Sequence, residues 1–496
     1  MKILSAQQTR DADAYTIAQE PISSLDLMER AASRATERLL SLELGQRYII
    51  FCGKGNNGGD GLVMARLLVE KGLDVTVVVV EHTKEASADF TKNLARLKEI
   101  GIETQHMKSV ADLTAPEQPS VLIDALLGSG LNRPLEGLLA EVVKILNKMK
   151  MLRVAIDIPT GLFADDNSEN DLKRVFQAHY TLTFQHPKKA FLNAFTAPLA
   201  GKVEVIDIGL TSAFYKNAES HSFFVEPWEI SSWYQPRQKF TYKGSYGHAY
   251  LLAGNEGKVG AALLSAHAAM RAGCGLLTLN SKPIVQSSLN QRLPEAMFTN
   301  RDEGIDWQHF QFDAVGLGPG MGLDLASQEL VKQVIQNTSV PRVLDADALT
   351  ILSQNRTWLY FLDQQTVLTP HVGEFKKLLG VNKLKENYLD QLQEMAQNYG
   401  AYILLKDSIS TLASPSGQLF FCDFGSPALA TAGTGDVLTG ILLGLLAQKI
   451  PVYKAVLMAV YLHGTAGKLA AEKMGAQESV LASDLVANLG GAFASL

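Results

Sequence analysis

The chain is 496 residues long, with 47% hydrophobic and 19% charged residues. That balance excludes a mostly disordered polypeptide, and the length exceeds what one hydrophobic core organises, so two or more domains are expected. A formal net charge of −6, from 45 Lys and Arg against 51 Asp and Glu, gives no global pull toward nucleic acid or an anionic membrane, so neither is expected as a partner.

The opening MKILSAQQTRDADAY has too few consecutive apolar residues for the ~7–15 of a secretory core. The most apolar runs, Val75 to Val80, Gly440 to Ala447 and Val456 to Leu462, fall short of the ~18 apolar residues of a membrane span and read as core elements. Cys52, Cys274 and Cys422 are far apart, which disfavours a disulfide framework or a zinc site and fits a cytoplasmic protein.

In chain order, a first block over residues 1–211 alternates β-rich runs with helical patterns. Strands are predicted at Tyr48–Cys52, Val75–Val80, Val121–Ala125, Val154–Ile158, Tyr180–Phe184 and Val203–Ile208. Such alternation implies βαβ units and a mainly parallel sheet. After the first strand comes the turn GKGNNGGDG, from Gly53 to Gly61. Gly53, Gly55 and Gly58 satisfy G-x-G-x-x-G, and Glu81 ends the next strand, so a dinucleotide-binding turn is one reading. Asp60 argues against it, because a carboxylate at a helix start repels a pyrophosphate. Taken alone, Asp60 reads equally well as a helix N-cap, with Asn56 and Asn57 as turn formers.

Further clusters lie at strand ends. Asp124 closes VLIDA ahead of a loop from Gly128 to Pro134, and Asp157 closes VAID ahead of Thr160 and Gly161. Ligands of open α/β sheets collect at such ends, so Asn57, Asp124 and Thr160 are expected to converge there. Their donors are hard oxygens suited to a simple cation. The glycine loop could wrap phosphates, and Asp157 is then the free carboxylate, a candidate acid or base.

Residues 212–238, rich in aromatics and carrying two prolines, read as a connection and lead-in. A second α/β block spans 239–496. Its strands are predicted at His248–Ala253, Gly275–Leu279, Ala314–Leu317, Arg342–Asp345, Thr366–Leu368, Tyr402–Leu405 and Gln418–Cys422, with helices at Val259–Ala272, Gly373–Leu379 and Gly435–Gln448. The strongest local signal is LATAGTGDVLTG, from Leu429 to Gly440. Small residues open an apolar helix whose first N–H groups form an anion hole, with Asp436 at the same end. A carboxylate beside an anion hole suits proton abstraction next to a phosphoryl-transfer centre, and the plainer alternative is a helix-capping Asp. GNEG at Gly254, GLGPGMG at Gly316, LDADAL around Asp345 and TPHVGE around His371 accompany it. Lys406 ends YILLK, and Asp407 to Ser410 offer donors to a nucleotide phosphate. A lone histidine such as His371 is more often structural than catalytic.

NNGGDG, DALLGSGLNRPLEG, IDIPTGL and GKVEVIDIGL resemble the YjeF N-terminal domain, an NAD(P)H-hydrate epimerase, over most of residues 1–211. The resemblance implies a Rossmann-like three-layer α/β fold that interconverts the R and S forms of hydrated NAD(P)H at C6. It implies a potassium ion at Asn57, Asp124 and Thr160, where the family usually has Ser in place of Thr160. Substrate contacts would fall at Asn56, Asn57, Gly58, Gly59 and Asp60, at Gly128, Ser129, Gly130, Leu131, Asn132, Arg133 and Pro134, and at Asp157. KGSYGHAYLLAGNEGKVGAALL, GLGPGMG, LDADAL, LTPHVGEF and ALATAGTGDVLTGILLGLLAQ resemble the ADP/ATP-dependent NAD(P)H-hydrate dehydratase of ribokinase-like fold. That implies Asp436 as catalytic base, nucleotide contacts at Lys406, Asp407, Ser408, Ile409, Ser410 and Gly435, and hydrate contacts at Ala261 or Ala262, Gly320 or Gly322, His371 and Asp436. The family usually has Gly after the strand-ending lysine. Asp407 stands there in this chain, and its carboxylate is unfavourable near phosphates unless it points away.

The expected activity is therefore bifunctional repair of nicotinamide nucleotides: epimerisation of NADH and NADPH hydrates, and dehydration of the S form with ADP or ATP as co-substrate. Magnesium is expected because transferring phosphates need a cation, and a homo-oligomer is expected. The alternative is a ribokinase-like small-molecule kinase fused to a Rossmann-like ligand-binding module.

Overall fold

Most strands form from apolar, β-branched runs, three to seven residues long, and amphipathic or fully apolar stretches between them form helices. The computed structural model describes residues 1–113 and 119–496, with Gln308 described by its backbone alone. These residues divide into two units, Met1–Ser222 and Phe223–Leu496.

In the first unit β1 (Arg47–Cys52), β2 (Asp74–Val80), β3 (Thr104–Met107), β4 (Val121–Ala125), β5 (Leu152–Ile156), β6 (Tyr180–Phe184) and β7 (Lys202–Ile206) form one sheet in the order β3-β2-β1-β4-β5-β6-β7. All its pairings are parallel. The strands are buried on both faces with period two. Ile50, Val77 and Val79 join the core under the helices Ser24–Ser41 and Asn56–Glu70, whereas Phe51, Val78 and Val80 join the core under the helix Gly137–Leu146. This is the expected three-layer α/β arrangement. β3, with sequence TQHM, is absent from the sequence-based strand set because it is a polar edge strand with no apolar run to mark it.

The second unit carries β8 (Ser222–Phe224), β9 (His248–Leu252), β10 (Leu276–Ser281), β11 (Met297–Asn300), β12 (Ala314–Leu317), β13 (Arg342–Leu344), β14 (Thr366–Leu368), β15 (Tyr402–Leu405), β16 (Ser410–Ala413) and β17 (Leu419–Cys422). Their order is β11-β10-β9-β12-β13-β14-β15-β16-β17-β8. The strands from β11 to β15 pair in parallel, and β16 and β17 close the sheet antiparallel. β8, β11 and β16 are short, and sequence patterning does not mark them. The segment 212–238 is more structured than a plain connection: it holds the helix Ser212–Asn217, β8 and the helix Pro227–Trp233, and its Val225 and Ile230 are buried in the second core.

The helix Thr434–Ala447 is buried on nearly every side. Its glycines allow close approach to the helix Val259–Arg271: a Cβ at Gly440 would lie 2.2 Å from the Ser265 carbonyl oxygen, and one at Gly444 2.5 Å from that of Ala269. This packing fixes where the first turn of the helix points. In each sheet the strand order reverses once, between β1 and β4 and between β9 and β12. The crevices at the carboxyl ends of those strands are where α/β sheets bind ligands.

Candidate active sites

At the β1/β4 reversal lies a cavity of about 620 Å³. Asn56, Asn57, Asp60, Gly128 to Leu131 and Asp157 line it, joined by residues of the two N-terminal helices. The helix after β1 begins at Asn56 with Gly55 as its cap, so Asp60 lies in the second turn and is buried. The N-cap reading of Asp60 and the turn-former reading of Asn56 and Asn57 are therefore corrected. The dinucleotide reading also loses its acidic partner, because Glu81 is held by Lys54 at 2.9 Å and by His106 at 2.8 Å. Gly58 and Gly59 serve packing rather than the cavity wall: a Cβ on Gly58 would meet the Gly53 carbonyl oxygen at 1.9 Å, and one on Gly59 would meet Met28 Sδ at 2.7 Å. Asn132, Arg133 and Pro134 lie outside the lining.

Asp124 and Thr160 are buried outside that lining, and Asn57 lies within it. Asp124 Oδ1 accepts from the Thr160 hydroxyl at 2.7 Å and from the Leu126 N–H at 3.1 Å, and Oδ2 accepts from the Thr160 N–H at 2.8 Å. Burial pushes the Asp124 carboxyl up to about 6, against the hydrogen bonds from Thr160 and Leu126. Both amide atoms of Asn57 are buried with no hydrogen-bond partner among the described residues. Gly128 brings the loop onto the cluster, since a Cβ there would lie 3.3 Å from Asn57 Cβ and 3.3 Å from Asp157 Oδ2. A buried carboxylate, a hydroxyl oxygen and an orphaned amide carbonyl make a donor set that fits a monovalent cation.

Asp157 has φ of 64°, a strained backbone for a residue with a side chain. Burial works against its charge, but Lys188 Nζ at 2.9 Å from Oδ1 and the Ser129 N–H at 3.1 Å from Oδ2 prevail, and the carboxyl is held below its ordinary range. Lys188 is itself 2% exposed and donates to the Phe184 carbonyl at 3.0 Å. Asp60 goes the other way: burial first, then the charges of Asp157, Asp13 and Asp89, push it well above the ordinary carboxyl range. Asp13 rises to about 6 through burial and Asp157, with Lys188 opposing. One ionised carboxylate thus shares a cavity with two carboxyls that hold protons more tightly, the arrangement that separates base from acid. Asp13 and Lys188 escape sequence reasoning, since one lies on a weakly patterned N-terminal helix and the other, one of the two lysines in HPKK, lies 31 residues beyond its partner.

In the second unit, residues that follow β13, β14 and β15 reach the first turns of the helix Thr434–Ala447. Gly433 caps that helix with φ of 87°, and Asp436 is its third residue, half-buried rather than capping. Lys406 Nζ pairs with Asp345 Oδ1 at 2.7 Å, and the Thr439 hydroxyl donates to Asp345 Oδ2 at 2.7 Å. A Cβ on Gly435 would lie 3.5 Å from Lys406 Nζ, so the anion hole and the lysine adjoin. Burial and then Asp345 push Asp436 up to about 6, with Lys406 opposing and Asp347 and Glu374 adding.

His371, Lys406, Asp407, Ser408, Ser410 and Gly435 line a cavity of about 680 Å³ together with apolar side chains such as Leu429, Leu438 and Val460. Ile409 does not line it. Asp407 Oδ1 accepts from the neighbouring Ser408 N–H at 2.7 Å, which turns that oxygen onto the backbone although the residue still borders the cavity. His371 plays a structural part, because its Nδ1 accepts from the Gly373 N–H at 2.9 Å and caps the helix Val372–Leu379, while its ring edges the cavity. Gly320 lies against Lys258 and Ala261, whereas Ala262 is fully buried in the core. Asp347 Oδ2 ties this corner together, accepting from Lys258 Nζ and from the Gly322 N–H, each at 2.9 Å. His463, absent from the sequence-based set, lines the nucleotide-sized cavity from the buried helix Val452–Met474.

Known proteins resemble both units of the chain. A family described as YjeF-related protein N-terminus matches residues 24–190, and one described as NAD(P)H-hydrate dehydratase matches residues 249–489. A bifunctional NAD(P)H-hydrate repair enzyme from Moorella thermoacetica is 34% identical over 98% of this chain and 95% of its own. Its counterpart from Vibrio cholerae is 32% identical over 98% and 97%. A ribokinase-like superfamily protein from Enterococcus faecalis superposes on 56% of this chain and 97% of its own, with 28% identity and a TM-score of 0.50.

Proposed function

The chain belongs to the family of bifunctional NAD(P)H-hydrate repair enzymes, and from that premise we propose that its first unit epimerises NAD(P)H hydrate and its second dehydrates the S form with ADP or ATP. The observation that carries the reading is Asp436: a half-buried carboxyl on the first turn of a glycine-capped helix, beside a lysine, with its pKa pushed up to about 6. A base of that strength works near neutral pH. In the second site Asp436 takes the proton of the C6 hydroxyl as its oxygen bonds to the terminal phosphorus of the nucleotide and the P–O bond to the nucleotide breaks. The amides at Gly433 to Gly435 and Lys406 face the charge that develops. The ring nitrogen then expels phosphate from C6, and loss of the C5 proton restores the double bond. Phosphate leaves where hydroxide would not. Magnesium would neutralise the nucleotide phosphates.

In the first site, the ionised Asp157 is the base and a protonated Asp60 or Asp13 the acid for breaking and remaking the bond at C6. Asn57, Asp124 and Thr160 would hold potassium, whose charge would offset the buried Asp124 carboxylate and satisfy the Asn57 carbonyl. The unpaired, buried cysteines accord with a cytoplasmic setting. Among the described residues no helix is long and apolar enough to cross a membrane.

The test is recovery of reduced-nicotinamide absorbance from mixed R and S NADH hydrate, with ADP, with ATP and with neither. Nucleotide-dependent recovery of both epimers is expected. Recovery of the S fraction alone would silence the first site, and no recovery with either nucleotide would favour a small-molecule kinase.

A further inference from the structure

We propose that His463 determines nucleotide specificity, its Nδ1 accepting a hydrogen bond from the exocyclic 6-amino group of an adenine base. The inference rests on the reading that the second unit's cavity takes an adenine nucleotide. His463 is 8% exposed and lines that cavity. Its Nε2 lies 2.9 Å from the carbonyl oxygen of Thr434. A carbonyl only accepts, so Nε2 carries the hydrogen. Burial pushes the ring down to about 4, against the Thr434 bond and with the charge of Lys406 adding, so the ring is neutral and holds only that one proton. Nδ1 is then an acceptor alone, and no group among the described residues donates to it.

Its surroundings suit a purine. Leu438 stands one helical turn beyond Thr434, Val460 nearly one turn before His463, and both line the same cavity, as does Leu429. Lys406 and Gly435, suited to phosphates, line the same cavity, and Gly435 directly follows the Thr434 that His463 binds. The cavity therefore combines a lysine and a glycine N–H, suited to phosphates, with apolar side chains and a histidine acceptor, suited to a base. The adenine edge presents an N–H donor to that acceptor. A 6-oxopurine presents an oxygen, and two acceptors would face each other without water between them.

The test is steady-state dehydration of S-NADH hydrate by the full chain, with ADP and with inosine diphosphate (IDP). The wild-type KM for IDP should exceed that for ADP by about tenfold or more. In His463→Phe the ADP KM should rise to the IDP value while the IDP and hydrate KM values stay put. His463→Gln, whose amide has both a donor and an acceptor, should keep the preference for ADP. Equal losses for ADP and IDP in His463→Phe would overturn the inference, leaving the ring only a prop for the Thr434 carbonyl. Equal use of ADP and IDP by the wild type would overturn it too, and that comparison stands even if His463→Phe does not fold. Wild-type turnover with neither nucleotide would instead remove the nucleotide reading, and this inference with it.

Discussion

Both crevices set a carboxyl after a glycine turn at a helix start, and both carboxyls are raised, Asp60 well above its ordinary range and Asp436 to about 6. In GNNGGDG the helix begins at Asn56, so Asp60 falls in the second turn, fully enclosed, with three other carboxylates raising its pKa and no lysine opposing them. In AGTGD the helix begins at Thr434, so Asp436 is on the first turn, half-buried, and Lys406 restrains its rise. Two residues of register along a helix put the two carboxyls among different neighbours, carboxylates alone for Asp60 and carboxylates with an opposing lysine for Asp436. The lysines sharpen the contrast. Lys188 pairs directly with the first site's Asp157 and holds it ionised, whereas Lys406 pairs with Asp345 and acts on Asp436 only through space.

The largest expected effect separates the two sites outright. Asp436→Asn should lower dehydration by about 10²–10⁴-fold, the usual contribution of a general base, and leave epimerisation unchanged. Loss of both activities would break the two-site comparison. In the wild type, dehydration should climb with pH through about 6 as Asp436 ionises. A rate flat from pH 5 to 8 would mean that its ionisation does not limit the step.

Lys188→Met tests the first site. It strands a buried carboxylate, which costs about 3–5 kcal/mol when one partner of a buried pair is removed, read as a fall in Tm. The folded pKa of Asp157 lies below its unfolded value, so the pair's stabilisation is present at neutral pH and fades as pH falls through the folded pKa. Without Lys188 that pKa rises, and the acid limb of the epimerisation profile should move to higher pH. An unmoved limb would assign the base elsewhere.

The smallest effect concerns Asp407. Replacing it by Gly removes a negative charge bordering the nucleotide cavity and should lower the ADP KM a few-fold, less at high salt. An unchanged KM would mean that its bond to the Ser408 N–H already turns the charge away.

Much of the fold was legible because its signals are local. Runs such as VVVV in β2 and IIF in β1 declare strands buried on both faces, and the glycine turns mark where helices begin. β3, β8, β11 and β16 were not legible, being short edge or hairpin strands without an apolar run. Of the sites, the sequence marked Asn57, Asp124, Asp157 and Thr160 in the first unit and Lys406, Gly435 and Asp436 in the second, near strand ends and helix starts.

The sequence by itself determined two α/β units, the strand-end positions of these carboxyls and the apolar helix that carries Asp436, because periodicity and turn chemistry act over a few residues. Only the tertiary structure decided what each group does. Which carboxyl keeps its proton depends on burial and on charges brought from afar: Lys188 to Asp157, Asp13 to the cavity over Asp60, His463 to the Thr434 carbonyl. A pKa is set by the surroundings of a group in space, and those surroundings exist only once the sheet has closed around it.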